Sequence, residues 1–199
     1  MKVIDVIFAL VAGRVVGFLI GDFLKEWGID SGFYVNLVIW FVFPILALVC
    51  LWIAFLVGRK MLFFFQAAKH FLVGAFAMVV DLKLFELLTW FFGIFILTSP
   101  LAVKGISFIF STLVKYWGNK YWAFQKHEKE KLSKEIAQFF IITIIGLVID
   151  ILAFYYIALV IGPQFLIPSV LWVKISIIMA ALVAASWNFL GYKFIVFKK

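Results

Sequence analysis

The chain has 199 residues, of which 67% are hydrophobic, 20% aromatic and only 14% charged. Soluble domains carry about 25% charged residues, so a mean hydropathy of +1.19 excludes a water-soluble enzyme, and the aromatic content excludes disorder. The net charge of +8 is no sign of nucleic-acid binding, because most Lys and Arg flank apolar runs, where they orient helices in a bilayer.

A helix crossing a bilayer needs about 20 apolar residues. Six such runs follow in chain order, about 3–22, 33–57, 71–97, 101–122, 137–161 and 167–191. The expected fold is all-α, a polytopic membrane protein of six transmembrane helices, with no room for an extramembrane catalytic domain. Asp5 and Arg14 interrupt the first run, and no small-x-small cleavage site follows it, so it reads as a retained span. Within it Gly13, Gly17 and Gly21 form small-xxx-small steps that let another helix approach closely. They predict packing within the chain or a homo-oligomer, and Arg14 among them is placed for packing or for pairing with an acidic group.

The connections alternate in charge. The first, with Asp22, Lys25, Glu26 and Asp30, is net acidic, and the second holds Arg59, Lys60, Lys69 and His70. Thr98 to Pro100 is uncharged, with Lys104 just beyond it. Lys126-His127-Glu128-Lys129-Glu130-Lys131 is followed by Lys134 and Glu135. Gly162-Pro163-Gln164 is neutral, and the chain ends in Lys198 and Lys199. Basic residues in every second connection place both termini, the 58–70 loop and the 123–136 loop in the cytoplasm. Cys50 lies alone in an apolar run, which excludes a disulfide framework. His70 and His127 lack ligand-spaced companions, so no metal or other cofactor is expected. There is no P-loop, dinucleotide fingerprint, HExxH or Asp-x-Asp cluster to support an enzyme.

An internal repeat organises the rest. Phe71-Leu72-Val73-Gly74 leading to Asp81, Phe85 and Gly93 recurs as Phe140-Ile141-Ile142-Thr143 leading to Asp150, Phe154 and Gly162, each pair 69 residues apart. After a four-residue insertion, Lys115 to Phe124 aligns with Asn188 to Phe197. Each copy holds two spans, so both enter the membrane the same way, and the last four helices are expected to form two parallel two-helix repeats, 69–124 and 137–199. Residues 1–60 have no counterpart and read as an accessory two-helix module beside a four-helix domain at 69–199.

Ionisable groups at mid-membrane cost about 2.5–3.5 kcal/mol and need a partner, a wet cavity or a function. Asp81 and Asp150 lie near mid-depth, each one helical turn beyond a small residue, Ala77 or Gly146. They are either acceptors in a polar pocket or structural groups bonded to a neighbouring helix. Ser107, Ser111, Lys115 and Asn119 mark a polar face on the fourth span, and Ala180, Ala184, Asn188 and Tyr192 mark the matching face of the sixth. The two faces either line a groove or, for the small residues, permit close packing. Lys83 and Glu86 are spaced to pair with each other. Lys104 and Lys174 are placed to snorkel outward.

The paired halves, each with an Asp in its first helix and a basic-aromatic tail, resemble the GtrA-like family over about residues 69–199. Its hallmark is close to Asn-Phe-Leu-x-Asn-Arg-x-Trp-x-Phe. Asn119-Lys120-Tyr121-Trp122-Ala123-Phe124 fits the latter part, and Asn188-Phe189-Leu190 with Lys193 and Phe197 fits the first. Phe71-Leu72-Val73-Gly74 looks like the family's opening. Lys115 stands where Asn is usual, and Tyr192 and Ile195 where Asn and Trp are usual.

The resemblance implies movement of a polyprenyl-phosphate-linked monosaccharide across the bacterial cytoplasmic membrane, supplying glycosylation of a surface polysaccharide. The alternative it carries is a scaffold that recruits a membrane glycosyltransferase, here through the 123–136 loop. An ion or small-molecule exporter ranks third. In the transport reading Lys120 and Lys193, helped by Lys69, capture the phosphate. Trp117, Trp122 and Trp187 stack on the sugar or anchor the helices, and Asp81 and Asp150 accept sugar hydroxyls. Lys115, Asn119 and Asn188 line the path.

Overall fold

The computed structural model describes residues 1–26, 32–95, 100–126, 132–164 and 169–198. Asp30, Thr98, the run from His127 to Lys131, and Lys199 lie outside the described residues, as do the side chains of Asp22, Lys25, Glu26, Pro100, Lys104 and Lys174. Every regular element described is helical: α1 (Val3–Glu26), α2 (Phe33–Gly58), α3 (Leu62–Phe95), α4 (Pro100–Gly118), α5 (Leu132–Tyr155) and α6 (Ser169–Gly191). Among the described residues three stretches are by themselves long and apolar enough to cross a membrane: Phe33–Gly58, Leu132–Ile161 and Met179–Val196. α3 carries more charge, with Lys69, Asp81, Lys83 and Glu86. At 34 residues it extends about 51 Å, well beyond the roughly 30 Å of hydrocarbon in a bilayer.

The chain divides into two compact units, Met1–Gln125 and Lys126–Lys199. In the first, α1 packs on α2, α3 packs on both, and α4 packs on α3. The glycine stripe explains the α1–α2 seam. A Cβ on Gly13 would come within 2.6 Å of the Phe43 carbonyl oxygen and Pro44 Cα, and one on Gly17 within 3.2 Å of the Ile39 carbonyl oxygen. A Cβ on Gly21 would meet Asn36 Oδ1 at 3.4 Å. Of packing within the chain and a homo-oligomer, the structure shows the packing, with α2 against Gly13, Gly17 and Gly21.

Arg14 follows from the same seam. Proline has no N–H, so Pro44 inside α2 deprives the carbonyl of Trp40, one turn earlier, of its helical donor. Arg14 donates to that carbonyl oxygen at 3.0 Å and stacks its guanidinium 4.0 Å from the Trp40 ring centre. Of the two expectations for Arg14, packing is what the structure shows. Ala9 of α1, Leu51 of α2, Phe65 and Val73 of α3, and Trp122 beyond α4 form one buried cluster, so residues 1–60 share a core with the hairpin that follows.

In the second unit α5 packs on α6. α5 exposes Ile144, Val148, Ile151 and Leu152, the apolar surface a lipid-facing helix requires. α5 continues into a π-helical turn, Tyr156–Ile161, that stops at Gly162. There φ 66 and ψ 176 occupy a region open essentially only to glycine.

α4 and α6 end alike. Each runs into a π-helical turn, Asn119–Ala123 and Tyr192–Val196, closed by a bond five residues long: Phe124 N–H to the Asn119 carbonyl at 2.9 Å, and Phe197 N–H to the Tyr192 carbonyl at 2.7 Å. A π turn adds a residue to the helical ladder and rotates the side chains beyond it, and such turns are frequent at functional sites. Immediately before each lies a glycine held against the partner helix. A Cβ on Gly118 would meet Val73 Cγ1 at 2.8 Å, and one on Gly191 would meet Ile142 Cγ2 at 2.7 Å. His70 and Phe124 pair their rings at 6.5 Å, and Phe139 and Phe197 at 6.1 Å. In both comparisons the partners on α3 and α5 lie 69 residues apart and those at the ends of α4 and α6 lie 73 apart.

Candidate functional site

In the first unit Lys69, Asp5, Asn119, His70, Asp81 and Ser107 are tied to partners, although Gln66 Oε1 on α3 is buried and unbonded. Lys69 and Asp5 form an ion pair with 1% and 2% of their side chains exposed. Asp5 Oδ1 also accepts from Trp122 Nε1 at 2.9 Å, and its Oδ2 accepts from the Lys2 backbone N–H at 2.7 Å. The Lys69 ammonium sits 4.3 Å from the Phe65 ring centre and 5.4 Å from that of Trp122, on which Phe8 stacks at 4.8 Å. Burial pulls the Lys69 ammonium below its ordinary value, and Asp5 opposes the fall. Lys69 is thus held in a closed cage. Trp122 is a wall of that cage.

The neighbouring groups are equally committed. Asn119 donates through Nδ2 to the Lys115 carbonyl at 2.8 Å, which leaves Oδ1 as the acceptor for His70 Nδ1 at 2.8 Å. That network fixes the proton of neutral His70 on Nδ1. Lys120 is fully buried and donates to the Tyr116 hydroxyl at 3.2 Å. Asp81 accepts from Ser107 Oγ of α4 at 2.8 Å. Of the two readings of this aspartate, the bond to a neighbouring helix is therefore present. Lys83 pairs with Glu86 at 2.9 Å, as their spacing predicts. Trp117 is exposed and stacks on Tyr121 at 5.4 Å, in the manner of an interfacial anchor.

The second unit answers differently at matching positions. Where Asn119 meets His70, Tyr192 stacks on Phe139 with ring centres 4.0 Å apart. Its hydroxyl lies 2.6 Å from Thr143 Oγ1, which in turn lies 2.8 Å from the Phe139 carbonyl. Because that carbonyl can only accept, Thr143 is the donor to it and Tyr192 donates to Thr143. Where Ser107 serves Asp81, the residue 73 positions on is Ala180, fully buried and without a hydroxyl. Asp150, half-buried on α5, has no hydrogen-bond partner among the described residues. Asn188 is 7% exposed and packs directly on Gly146, whose missing side chain makes room for the amide. Asn188 Oδ1 is buried and unbonded, a condition costing about 1–3 kcal/mol.

At the C-terminal end of this unit, Lys193 is half-buried with its ammonium 5.8 Å from the ring centres of Phe189 and Phe194, and Trp187 is exposed. Lys126 donates to the Val196 and Lys198 carbonyls at 3.4 and 3.3 Å and lies 3.8 Å from Glu135.

Of the residues singled out in the sequence, the first unit gathers Lys69, Trp122, Asn119, Lys120 and Lys115 at the end of α4 and the turn beyond it. The second gathers Asn188 and Asp150 along the α5–α6 seam and Lys193 past its end. Three partners were not singled out. Asp5 read only as an interruption of an apolar run, although an acid in a first helical turn is itself a signal. His70 was set aside for want of metal-ligating companions. Thr143 carries the Tyr192 bond, and its sequence signal is a hydroxyl in an apolar run.

The model of the GtrA/DPMS transmembrane domain matches residues 69–197, well over half of the chain. The chain belongs to that family. Comparison with curated proteins and with solved structures returns no match. Membership agrees with the resemblance read from the paired halves, and together with the apolar helices it makes this a multi-pass membrane protein. The matched segment begins at Lys69, so α1 and α2 precede the family domain and yet supply the acid that neutralises its first residue.

Proposed function

We propose that the chain moves a polyprenyl-phosphate-linked monosaccharide across the bacterial cytoplasmic membrane for glycosylation of a surface polysaccharide, and that it does so as a carrier rather than an enzyme. Residues 69–199 form the carrier, two parallel hairpins in a six-span protein, with residues 1–60 as an accessory module. The observation that carries this reading is the family match over residues 69–197, a domain that holds polar acceptors within lipid-suited helices. The contacts recurring at offsets of 69 and 73 residues support the paired hairpins.

A sugar phosphate cannot cross hydrocarbon unaided, because each polar group left unsatisfied costs several kcal/mol. A helical seam offering amide and carboxylate acceptors lowers that barrier while the lipid tail stays in the bilayer. Lys193 suits phosphate capture best among the basic residues of the tails, since Lys69 is neutralised by Asp5 and Lys120 is enclosed beside Tyr116. With the inside negative, outward passage of one negative charge gains about 2.3 kcal/mol per 100 mV, so no nucleotide site is required.

The test is reconstitution of the full chain in liposomes loaded on one leaflet with undecaprenyl-phosphoryl-glucose, with outer-leaflet lipid followed over time. Faster equilibration than in protein-free vesicles is expected, and it should slow on Asp81→Asn/Asp150→Asn double substitution. Equal rates with and without protein would refute the carrier reading.

A further inference from the structure

Resting on that reading, we infer that the sugar is bound by the second hairpin, along the α5–α6 seam, at a subsite of hydrogen-bond acceptors formed by Asn188 and Asp150. The ligand chemistry is a hydroxyl-rich ring that donates hydrogen bonds.

Three observations converge. Asn188 Oδ1 is buried without a donor, seated in the space that the missing side chain of Gly146 leaves on α5. Asp150 lies one helical turn along α5 from Gly146, on the same face, and has no donor among the described residues. The positions that supply hydroxyls in the first hairpin, Ser107 and Ser111, become Ala180 and Ala184 in the second, both buried. At these two matched positions the second hairpin lacks the hydroxyls of the first, while Asn188 and Asp150 keep their acceptor oxygens. Carboxylate oxygens and an amide oxygen accept from hydroxyls and repel phosphate, so the matching part of a lipid-linked sugar is the sugar ring. An apolar bilayer offers no water to fill the vacancy, which leaves the ligand as the donor.

The first hairpin shows what a satisfied seam looks like. Its Asp81 already holds the Ser107 hydroxyl, so a sugar would have to displace a bond already made. Supplying the second hairpin with the missing hydroxyl should silence it in the same way. Ala180→Ser adds one oxygen to the position matching Ser107 and removes no polar group.

The experiment titrates the purified full chain with citronellyl-phosphoryl-glucose and with citronellyl phosphate lacking the sugar. The parent should prefer the glucosylated probe. Ala180→Ser, Asp150→Asn and Asn188→Leu should each cut that preference by about tenfold, while affinity for bare citronellyl phosphate stays within about twofold. Ala184→Ser provides a second donor insertion should Ala180→Ser lower the melting temperature. A preference that survives in all of these variants, or that falls further in Asp81→Asn than in Asp150→Asn, overturns the assignment while leaving transport standing. A parent that binds neither probe overturns both.

Discussion

The two hairpins of the family domain have the same framework and opposite polar chemistry. Each helix pair is pinned by a glycine against a branched side chain, Gly118 on Val73 and Gly191 on Ile142, and each ends in a π-helical turn. Beyond that framework the first hairpin is closed. Asp81 has Ser107, Asn119 has His70, and Lys69 has Asp5 from a helix outside the domain. Among the described residues the second keeps an amide oxygen and a carboxylate without hydrogen-bond partners. The two hairpins thus share their glycine contacts and π-helical ends and differ at the polar positions beside them.

Substitutions can break that contrast, beginning with the largest expected effect. Asp5→Ala leaves the Lys69 ammonium buried without its acid, and removing one partner of a buried pair costs about 3–5 kcal/mol. Thermal unfolding in detergent should show a large fall in melting temperature, and Asp5→Leu/Lys69→Met should recover most of it. A fall no larger than that of an exposed pair would mean the cage is solvated.

Gly191→Ala forces a Cβ toward Ile142 Cγ2 at 2.7 Å, and such overpacking costs about 1–3 kcal/mol. Gly118→Ala against Val73 should cost a similar amount if the framework is shared, and unequal losses in the same unfolding assay would break the comparison. Arg14→Met strips the Trp40 carbonyl of its donor and should cost about 1–3 kcal/mol. Adding Pro44→Ala restores the helical N–H and should relieve the loss, which a double-mutant cycle would register. The smallest effect belongs to Lys83→Gln. Its pair with Glu86 is 34% and 55% exposed, and such pairs contribute about 0–1 kcal/mol.

Offsets of 69 and 73 residues, read from Phe71 against Phe140 and Lys115 against Asn188, are the spacings at which the glycine contacts and π turns fall. The Lys83–Glu86 pair was legible because it is local, three residues apart on one helix. The Asp5–Lys69–Trp122 cage was not, because its members lie far apart in the chain and Asp5 has no counterpart to draw attention to it. For the same reason the charge of Lys69 and Lys120 is visible in sequence while their burial against Asp5 and Tyr116 is not. Arg14 needed two facts at once, its place in a glycine stripe and the carbonyl that Pro44 leaves open on the facing helix. Ser107 and Ala180 were visible as matching positions, but their meaning waited on the Asp81 bond.

The most direct measurement compares lipid-linked sugar movement in liposomes carrying Asp150→Asn with that in liposomes carrying Asp81→Asn, at equal protein density and equal folded fraction. A loss of about tenfold with Asp150→Asn and a clearly smaller one with Asp81→Asn is the predicted result. Equal losses, or the greater loss from Asp81→Asn, would contradict a division of labour in which one hairpin is sealed and the other holds the cargo.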